Sequence, residues 1–252
     1  MNMYHYELPR YLPTADELPC SDDTPVDNEL QELIPSLLKS ILQILWGERM
    51  DWFFGIDMGI YTHPAQPPIV PDGFLSLNVE RFFDEDLRLS YLLWEEKVPP
   101  ILVLEIVSNK RRGEYTTKLD EYTQMGVLYY VIYNPKRKRK PKLEIYKLQN
   151  GKSELQDANP LWMPEIGLGI GNERADYGGL MRDWLYWYDE NNRRYPTPSE
   201  QIELEAQRAT MESQRADTES QRADLESRSA DTERQRAERL AAKLRALGID
   251  PD

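Results

Sequence analysis

The chain has 252 residues, a formal net charge of -13 and a single cysteine, Cys20. This charge argues against a protein that binds nucleic acid through a uniformly basic surface, and the lone cysteine excludes an intramolecular disulfide or a cysteine-ligated zinc site. The start lacks a basic segment followed by an apolar one, and no apolar run approaches the ~20 residues of a membrane span, so we expect a cytoplasmic protein without membrane contact.

An aperiodic N-terminal arm, residues 1–24, precedes the first predicted helix, over 27–46. Apolar side chains recur in that helix three and four positions apart and therefore share one face. Gly47 is a typical helix stop. Pro35 lies inside the helix and predicts either a kink or a division into two helices, because it has no N–H group to donate.

Two strands are predicted next, over 52–62 and 69–77. Pro71 and Gly73 interrupt the second strand, because the first lacks an N–H group and the second loosens the backbone. Asp72 between them is therefore expected at an irregular point of the sheet and not in the middle of a ladder. The alternative is that Asp72 only shapes a Pro-Asp-Gly turn.

The run from Ile101 to Val107 places six β-prone apolar residues around one carboxylate, Glu105. A short, continuous apolar run predicts a buried central strand, covered on both faces. Burying an unpaired carboxylate costs several kcal/mol, so a lysine or arginine, a shared proton or a metal ion must compensate Glu105. An acid at a strand end that lines a cleft often holds a divalent cation.

The remaining elements complete a mixed α/β core over residues 25–190. A helix ending at Gly126 is followed by several apolar or alternating segments and by a turn at Asn150-Gly151. The predicted helix spans 112–125, the predicted strands span 127–133, 142–148 and 161–170, and a short aromatic segment spans 181–188.

A linker over 191–198 leads to a heptad-repeat tail over 199–252. Alanines, from Ala209 to Ala237, occupy one core position of the repeat, and glutamates, from Glu212 to Glu233, occupy the other. This seam predicts a long helix that buries little against the core. It is either a solvated, loosely associating helix or a coiled coil that forms a homo-oligomer, and the core itself is a second candidate for self-association.

Three side chains suit metal-assisted hydrolysis: Asp72, Glu105 and Lys118. Two carboxylates bind a hard cation such as Mg²⁺, and a nearby lysine orients a water or offsets phosphate charge. Other readings stay open: Lys118 as an exposed lysine paired with Glu114 or Glu121, and Glu105 as one half of a structural ion pair.

Three further acids are candidates for this site. Glu29 or Glu32 on the first helix would support the metal, and Asp57 would add to the acidic cluster or occupy a hairpin position.

Several motifs together resemble the Uma2-type endonuclease family, which belongs to the PD-(D/E)xK, restriction-endonuclease-like superfamily. The resemblance covers roughly residues 25–190 and rests on an aspartate after a proline, an acid in a strand, and a lysine and tyrosine on the next helix. The segments are Val70-Pro71-Asp72, Trp94-Glu95-Glu96, Leu104-Glu105-Ile106-Val107-Ser108, Lys118-Leu119-x-x-Tyr122, Tyr129-Tyr130 and Asn134-Pro135.

The resemblance implies a fold, a cofactor and roles for single residues. It implies a restriction-endonuclease-like mixed sheet and a Mg²⁺ or Mn²⁺ ion held by Asp72 and Glu105, for which we expect the Ile106 carbonyl as a further ligand. The superfamily lysine usually lies where this chain has Val107, so its role passes to Lys118, with Lys110 as the next candidate.

The implied function is a Mg²⁺-dependent endonuclease that hydrolyses phosphodiesters of nucleic acid, with DNA as the expected substrate. The alternative is a catalytically degenerate protein of the same fold that acts through its helical tail. Two basic segments would contact phosphates in a salt-dependent way, and the second could instead be a solvated loop. The residues expected to do so are Lys110, Arg111, Arg112, Lys136, Arg137 and Lys138.

Overall fold

A computed structural model describes residues 11–19, 28–82, 85, 87–108, 113–139 and 141–246. The chain divides into two compact units, with the boundary between Thr197 and Pro198. The first unit contains every described strand, and the second contains one helix.

The described part of the first unit contains both helices and strands. In chain order they are a 3-10 turn Ala15–Glu17, α1 Leu30–Leu45, β1 Trp52–Ile56, β2 Ile60–Tyr61, β3 Gly73–Leu77, β4 Tyr91–Leu92, α2 Leu93–Glu96, β5 Leu102–Ile106, α3 Thr117–Met125, β6 Tyr129–Tyr133, β7 Leu143–Gln149, β8 Lys152–Gln156, β9 Leu161–Met163, β10 Leu168–Tyr177 and β11 Leu180–Tyr188.

Six strands form the central sheet in the order β1-β3-β5-β6-β7-β8. The β5–β6 pair is parallel, and the other four neighbouring pairs are antiparallel. A parallel pair needs a crossover connection, which α3 supplies between β5 and β6. This mixed sheet confirms the predicted α/β fold class, with the Glu105 strand inside the sheet.

Both faces of the central sheet are covered, as the apolar run around Glu105 predicts. Side chains alternate along β5, so Leu104 joins a core formed with α1 and the three-stranded sheet β11-β10-β9. Val103 and Val107 face the opposite core, which contains Tyr122 and Met125 of α3. Glu105 shares the parity of Val103 and Val107, and it therefore lies on the α3 face.

The first helix is undivided, whereas the sequence allowed either a kinked helix or two helices separated at Pro35. Residues Leu30–Leu45 form one continuous helix, so a division at Pro35 is wrong. Pro35 lies early in the helix and is buried, and its Cβ would lie 3.2 Å from a Cβ placed on Gly73. Pro35 is the sixth helical residue, so α1 lacks the one hydrogen bond that an N–H at this position would donate to the Gln31 carbonyl, and the helix continues past that missing bond.

Several strand segments were not predicted, among them β4 in the segment after β3. β8 is largely exposed and polar, and it pairs with β7 through a turn in which Asn150 and Gly151 both have positive φ. The outer half of β10 is also polar, and it pairs with β11 through a turn at Gly178 and Gly179. Strands at a sheet edge lack the apolar alternation that identifies a half-buried strand.

The helix after β5 begins later in the chain than predicted. It begins at Thr117 and not at residue 112, because Gly113 has a φ of +85° and the following residues form a turn. Its end agrees with the prediction, since Gly126 takes the left-handed conformation with a φ of +87°.

The second unit contains α4, Pro198–Ala246, a helix of 49 residues with no buried side chain. The heptad repeat therefore does form one long helix, as predicted. Among the described residues, no helix is long and apolar enough to cross a membrane.

Candidate active site

Asp72 and Glu105 come together where β3 begins and β5 ends. β3 and β5 are antiparallel, and Gly73 pairs with Leu104. The next residues beyond that pair are Asp72 and Glu105, and residues that lie opposite each other in an antiparallel pair project from the same face. A register fixed by buried strands thus places two acids side by side, although they are far apart in sequence.

Glu105 is compensated by two side chains of α3. The Lys118 Nζ donates to both carboxylate oxygens, at 2.7 and 2.8 Å, and the Tyr122 hydroxyl donates to Oε1 at 2.7 Å. Glu105 is only 3% exposed. Residues four apart lie on one face of a helix, so α3 brings both donors to one carboxylate.

This contact decides between the readings of Lys118 that the sequence left open. Lys118 pairs with Glu105 and not with Glu114 or Glu121. The expectation that a helix lysine reaches the strand acid is therefore met in geometry, and Glu105 does have a lysine partner, as the structural ion-pair reading required. The side chain of Lys118 is 21% exposed, so its ammonium lies where the buried acid meets solvent.

Asp72 is held from two other elements. The Gln31 Nε2 of α1 donates to Oδ1 at 2.9 Å, and the Ile106 N–H donates to Oδ2 at 2.5 Å. Asp72 is 8% exposed. It lies in the loop before β3, not in a ladder, and its role exceeds that of a turn residue because both of its oxygens are bound by distant parts of the chain.

Burial and mutual repulsion shape the electrostatics of the pair. Burial, and then the nearby Glu105 charge, raise the pKa of Asp72 to about 7, against the Ile106 N–H, Lys118 and Gln31. Burial also raises the pKa of Glu105, which Lys118 and Tyr122 oppose. Two acids thus share one lysine, and additional positive charge or a proton is favourable there.

The donor set fits a hard divalent cation. Carboxylate oxygens suit Mg²⁺, which usually takes one or two protein carboxylates and completes its shell with waters and substrate phosphate. No group of three His, Cys, Asp or Glu side chains that could hold a metal occurs among the described residues. The arrangement therefore does not resemble a metal site in which protein side chains supply every ligand.

The other acids that the sequence suggested for this site do not contact Asp72 or Glu105. Glu29 and Glu32 are exposed, and so is Asp57, which has a φ of +48° just after β1. The residue of α1 that contacts Asp72 is Gln31, which sequence reasoning missed. Its signal was its place in the buried stripe of α1, three positions before Ile34 and four before Pro35.

One basic segment follows the strand next to the site. β6 is the parallel neighbour of β5, so the loop from Lys136 begins at the sheet edge where β5 ends. Lys136 and Lys138 are exposed, whereas Arg137 pairs with Glu144 and stacks over Tyr115. The other predicted phosphate contacts, Lys110, Arg111 and Arg112, lie outside the described residues.

The mixed sheet, with an acid before one strand and another inside its neighbour, defines a restriction-endonuclease-like protein. The chain belongs to the Uma2 family, described as "Putative restriction endonuclease", whose sequence model matches residues 7–174. The comparisons with curated proteins and with solved structures gave no match.

Proposed function

We propose that this protein is a Mg²⁺-dependent endonuclease that hydrolyses phosphodiesters of nucleic acid, with DNA as the expected substrate. The observation that carries the proposal is the buried pair of Asp72 and Glu105, with Lys118 bound to the second acid. Membership of a restriction-endonuclease family supports the same class of reaction.

Asp72 and Glu105 would hold the metal ion, with Mn²⁺ as a substitute for Mg²⁺ and the Ile106 carbonyl as a further ligand. When bound, the ion would offset charge on the scissile phosphate and lower the pKa of a water. The carboxylates suit this task because both are buried and their pKa values are raised, so that binding a cation relieves an unfavourable charge.

Lys118 would act on the phosphate or on the attacking water. Its ammonium is bound to Glu105 and is partly exposed, so it can approach a substrate phosphate without leaving the neighbourhood of the acid. Tyr122 would keep the Glu105 carboxylate oriented through its hydroxyl, and Gln31 would do the same for Asp72. We therefore assign Gln31 and Tyr122 as positioning residues, because their polar groups contact the acids.

Cleavage assays test the proposal directly. Supercoiled DNA, linear duplex DNA, single-stranded DNA and RNA are incubated with the full chain in Mg²⁺, in Mn²⁺ and in EDTA. We expect cleavage of at least one substrate with metal, none in EDTA, and loss of activity in Asp72→Asn and Glu105→Gln. The control variant is Glu154→Gln, which changes an exposed acid on β8. Equal activity in Glu105→Gln and in the wild type would sink the proposal.

A second function is a non-catalytic protein that acts through α4. The observation in its favour is that the 49 residues of α4 contain no buried side chain and are therefore open to a partner. Metal titration separates the two functions, because an ion that binds only the folded state stabilises it by RT ln(1 + [L]/Kd). An unchanged melting temperature in millimolar Mg²⁺ and Mn²⁺ would favour the second function.

A further inference from the structure

A cavity of about 260 Å³ lies beside the edge strand β1, away from the acid pair. It is bounded by α1, by β1 and by the segment after β3, and we name it the Lys39/Arg81 pocket. Its wall combines cationic and apolar side chains. Those used below are Lys39, Arg81, Arg88, Phe53, Phe82 and Leu87.

Three basic side chains line this pocket, and Arg88 is the one for which the described part of the chain supplies a carboxylate partner. Arg88 forms a buried ion pair with Glu96 at 2.6 Å. Within the described residues, neither Lys39 nor Arg81 forms an ion pair with an acid. Burial and the nearby Arg81 charge both lower the pKa of Lys39, and burial and the Arg88 charge lower the pKa of Arg81. The charged side chains among the described lining residues are all basic, in a chain whose net charge is -13.

Aromatic rings fix the arginines in place. The Arg81 guanidinium lies 3.9 Å from the centre of the Trp52 ring and 4.8 Å from that of Phe82. Arg88 lies 4.5 Å from the centre of the Phe53 ring. Phe82 and Leu87 are each more than half exposed although they line the cavity. An exposed aromatic face beside basic side chains suits a ligand with one anionic end and one flat, apolar end.

We propose that the Lys39/Arg81 pocket binds a nucleotide, with its phosphate between Lys39 and Arg81 and its base against Phe82 and Leu87. The nucleotide is either free or part of a substrate strand, and the second case rests on the proposed function. Lys39 follows Gln31 by eight residues of α1, which corresponds to ~12 Å along the helix. Gln31 contacts Asp72, and ~12 Å of helix corresponds to a few nucleotides of a strand at ~3.4 Å per nucleotide.

Calorimetric titration of the full chain in EDTA tests the pocket without metal and without cleavage. The ligands are deoxyadenosine monophosphate, deoxyadenosine, inorganic phosphate and a short single-stranded oligonucleotide. We expect the monophosphate or the oligonucleotide to bind more tightly than deoxyadenosine or phosphate. Lys39→Met and Arg81→Met should each weaken that binding about tenfold or more, as expected for the loss of a charge-assisted contact. Methionine keeps the helix propensity of position 39 and apolar contact at position 81.

The matched control is Lys152→Met, which removes an exposed lysine from β8 at the opposite edge of the sheet. Melting temperatures establish that each variant is folded, and the two variants test the pocket separately. Binding of the monophosphate identifies the free nucleotide as a source, and binding of the oligonucleotide alone identifies the strand. The inference is overturned if Lys39→Met and Arg81→Met bind like Lys152→Met, or if phosphate binds as tightly as the nucleotides. A chain that binds nucleotides but cuts none would keep this inference and remove the proposed function.

Discussion

Asp72 and Glu105 differ in how each is held, although they share one site. Asp72 accepts hydrogen bonds from an amide side chain and a backbone N–H, neither of which carries a charge. Glu105 accepts from an ammonium and a phenol. Asp72 is therefore the acid whose charge is less compensated, and it is the better reporter of a proton or a metal ion at the site.

The metal-free protein should lose stability as pH rises from about 4 to about 7. The pKa of Asp72 is about 7 in the folded chain, against ~3.9 in an unfolded chain. The folded state therefore binds the extra proton in this interval, so the free energy of unfolding falls as pH rises and levels off above pH ~7. The size is on the order of a few kcal/mol, since one pKa unit corresponds to ~1.4 kcal/mol.

Urea unfolding in EDTA across this pH range measures that effect. Asp72→Asn should flatten the decline, whereas Glu154→Gln, at an exposed position on β8, should leave it unchanged. Saturating Mg²⁺ should oppose the decline in the wild type, because an ion that binds the carboxylate competes with the proton. The same slope in Asp72→Asn and in the wild type would assign the titration to another group.

Lys118→Met should keep metal binding and abolish turnover. The substitution leaves the buried Glu105 carboxylate with Tyr122 as its remaining donor in this set, and breaking a buried ion pair costs ~3 kcal/mol. It also removes a cation that competes with a metal ion for the same oxygens, so metal affinity should not fall. Calorimetry with Mn²⁺ and single-turnover cleavage separate binding from chemistry.

The stability loss in Lys118→Met has its own control. The double variant Lys118→Met/Glu105→Gln should recover most of the lost stability, because the uncompensated charge is gone. Cleavage at the wild-type rate in Lys118→Met would show that another lysine serves catalysis, and Lys110 would be tested next.

Gln31→Met should weaken metal binding while the fold is kept. The substitution conserves the length of the side chain and removes the donor that orients Asp72 Oδ1. Residues that orient metal ligands commonly change metal affinity by about 10- to 100-fold when replaced. Glu32→Met, at the exposed neighbouring position, serves as the control. Equal Mn²⁺ affinity in Gln31→Met and Glu32→Met would show that Asp72 needs no such support.

At the scale of elements, the sequence predicted the parts that a periodic pattern marks. The apolar run of β5 predicted a buried interior strand, and Gly126 predicted the end of α3. The two acids were predicted from their positions, Asp72 just before β3 and Glu105 within β5. Lys118 was a candidate from its chemistry, and the family resemblance gave it a role. Its contact with Glu105 could not be predicted from local spacing, because it depends on how α3 packs over β5.

The missed features lacked such a pattern. β8 lies at the sheet edge with mostly exposed polar residues, so nothing in it alternates. Gln31 contacts Asp72 across 41 positions of the chain, and an amide among acids does not stand out as a site residue. The pairing of β10 with β11 depends on a Gly178-Gly179 turn that follows a polar stretch. In each case the deciding contact is distant in sequence or lies at the surface.

The loop after β6 should contribute to substrate binding through its exposed lysines. Lys136→Ser/Lys138→Ser should weaken DNA binding and make the slope of log K against log salt shallower by up to about 1 per lost phosphate contact. The single-turnover rate at saturating DNA should stay unchanged, because neither lysine belongs to the acid pair. Fluorescence anisotropy measures the affinity at salt concentrations from about 50 to about 300 mM, and the slope is obtained from these values.

Two further basic residues of this segment form ion pairs with acids. Arg137 pairs with Glu144, and Lys142 pairs with Asp183. Replacing Lys142 with serine should change stability more than affinity, by roughly 1 kcal/mol or less for a partly exposed pair. A salt slope in Lys136→Ser/Lys138→Ser identical to that of Lys152→Ser would remove this loop from the binding surface.

At the scale of the whole molecule, burial is concentrated in one of the two units. The residues of both hydrophobic cores lie between Leu30 and Tyr195. In α4 no side chain is buried, and its alanines and glutamates alternate at the heptad positions. Burial of apolar surface is the main favourable term in folding, so the core-containing unit accounts for the stability that calorimetry would detect.

Removing α4 should therefore leave the melting temperature nearly unchanged. A chain truncated after Glu200 keeps the boundary residues Thr197 and Pro198 and should melt within a few degrees of the full chain, since a helix with no buried side chain contributes no core. Calorimetry at several protein concentrations makes the test sharper. If α4 associates as a coiled coil, only the full chain should show a melting temperature that rises with concentration. If the helix is solvated, neither chain should. A drop of more than about 5 °C on truncation, roughly 2 kcal/mol for a domain of this size, would show that α4 stabilises the rest of the chain after all.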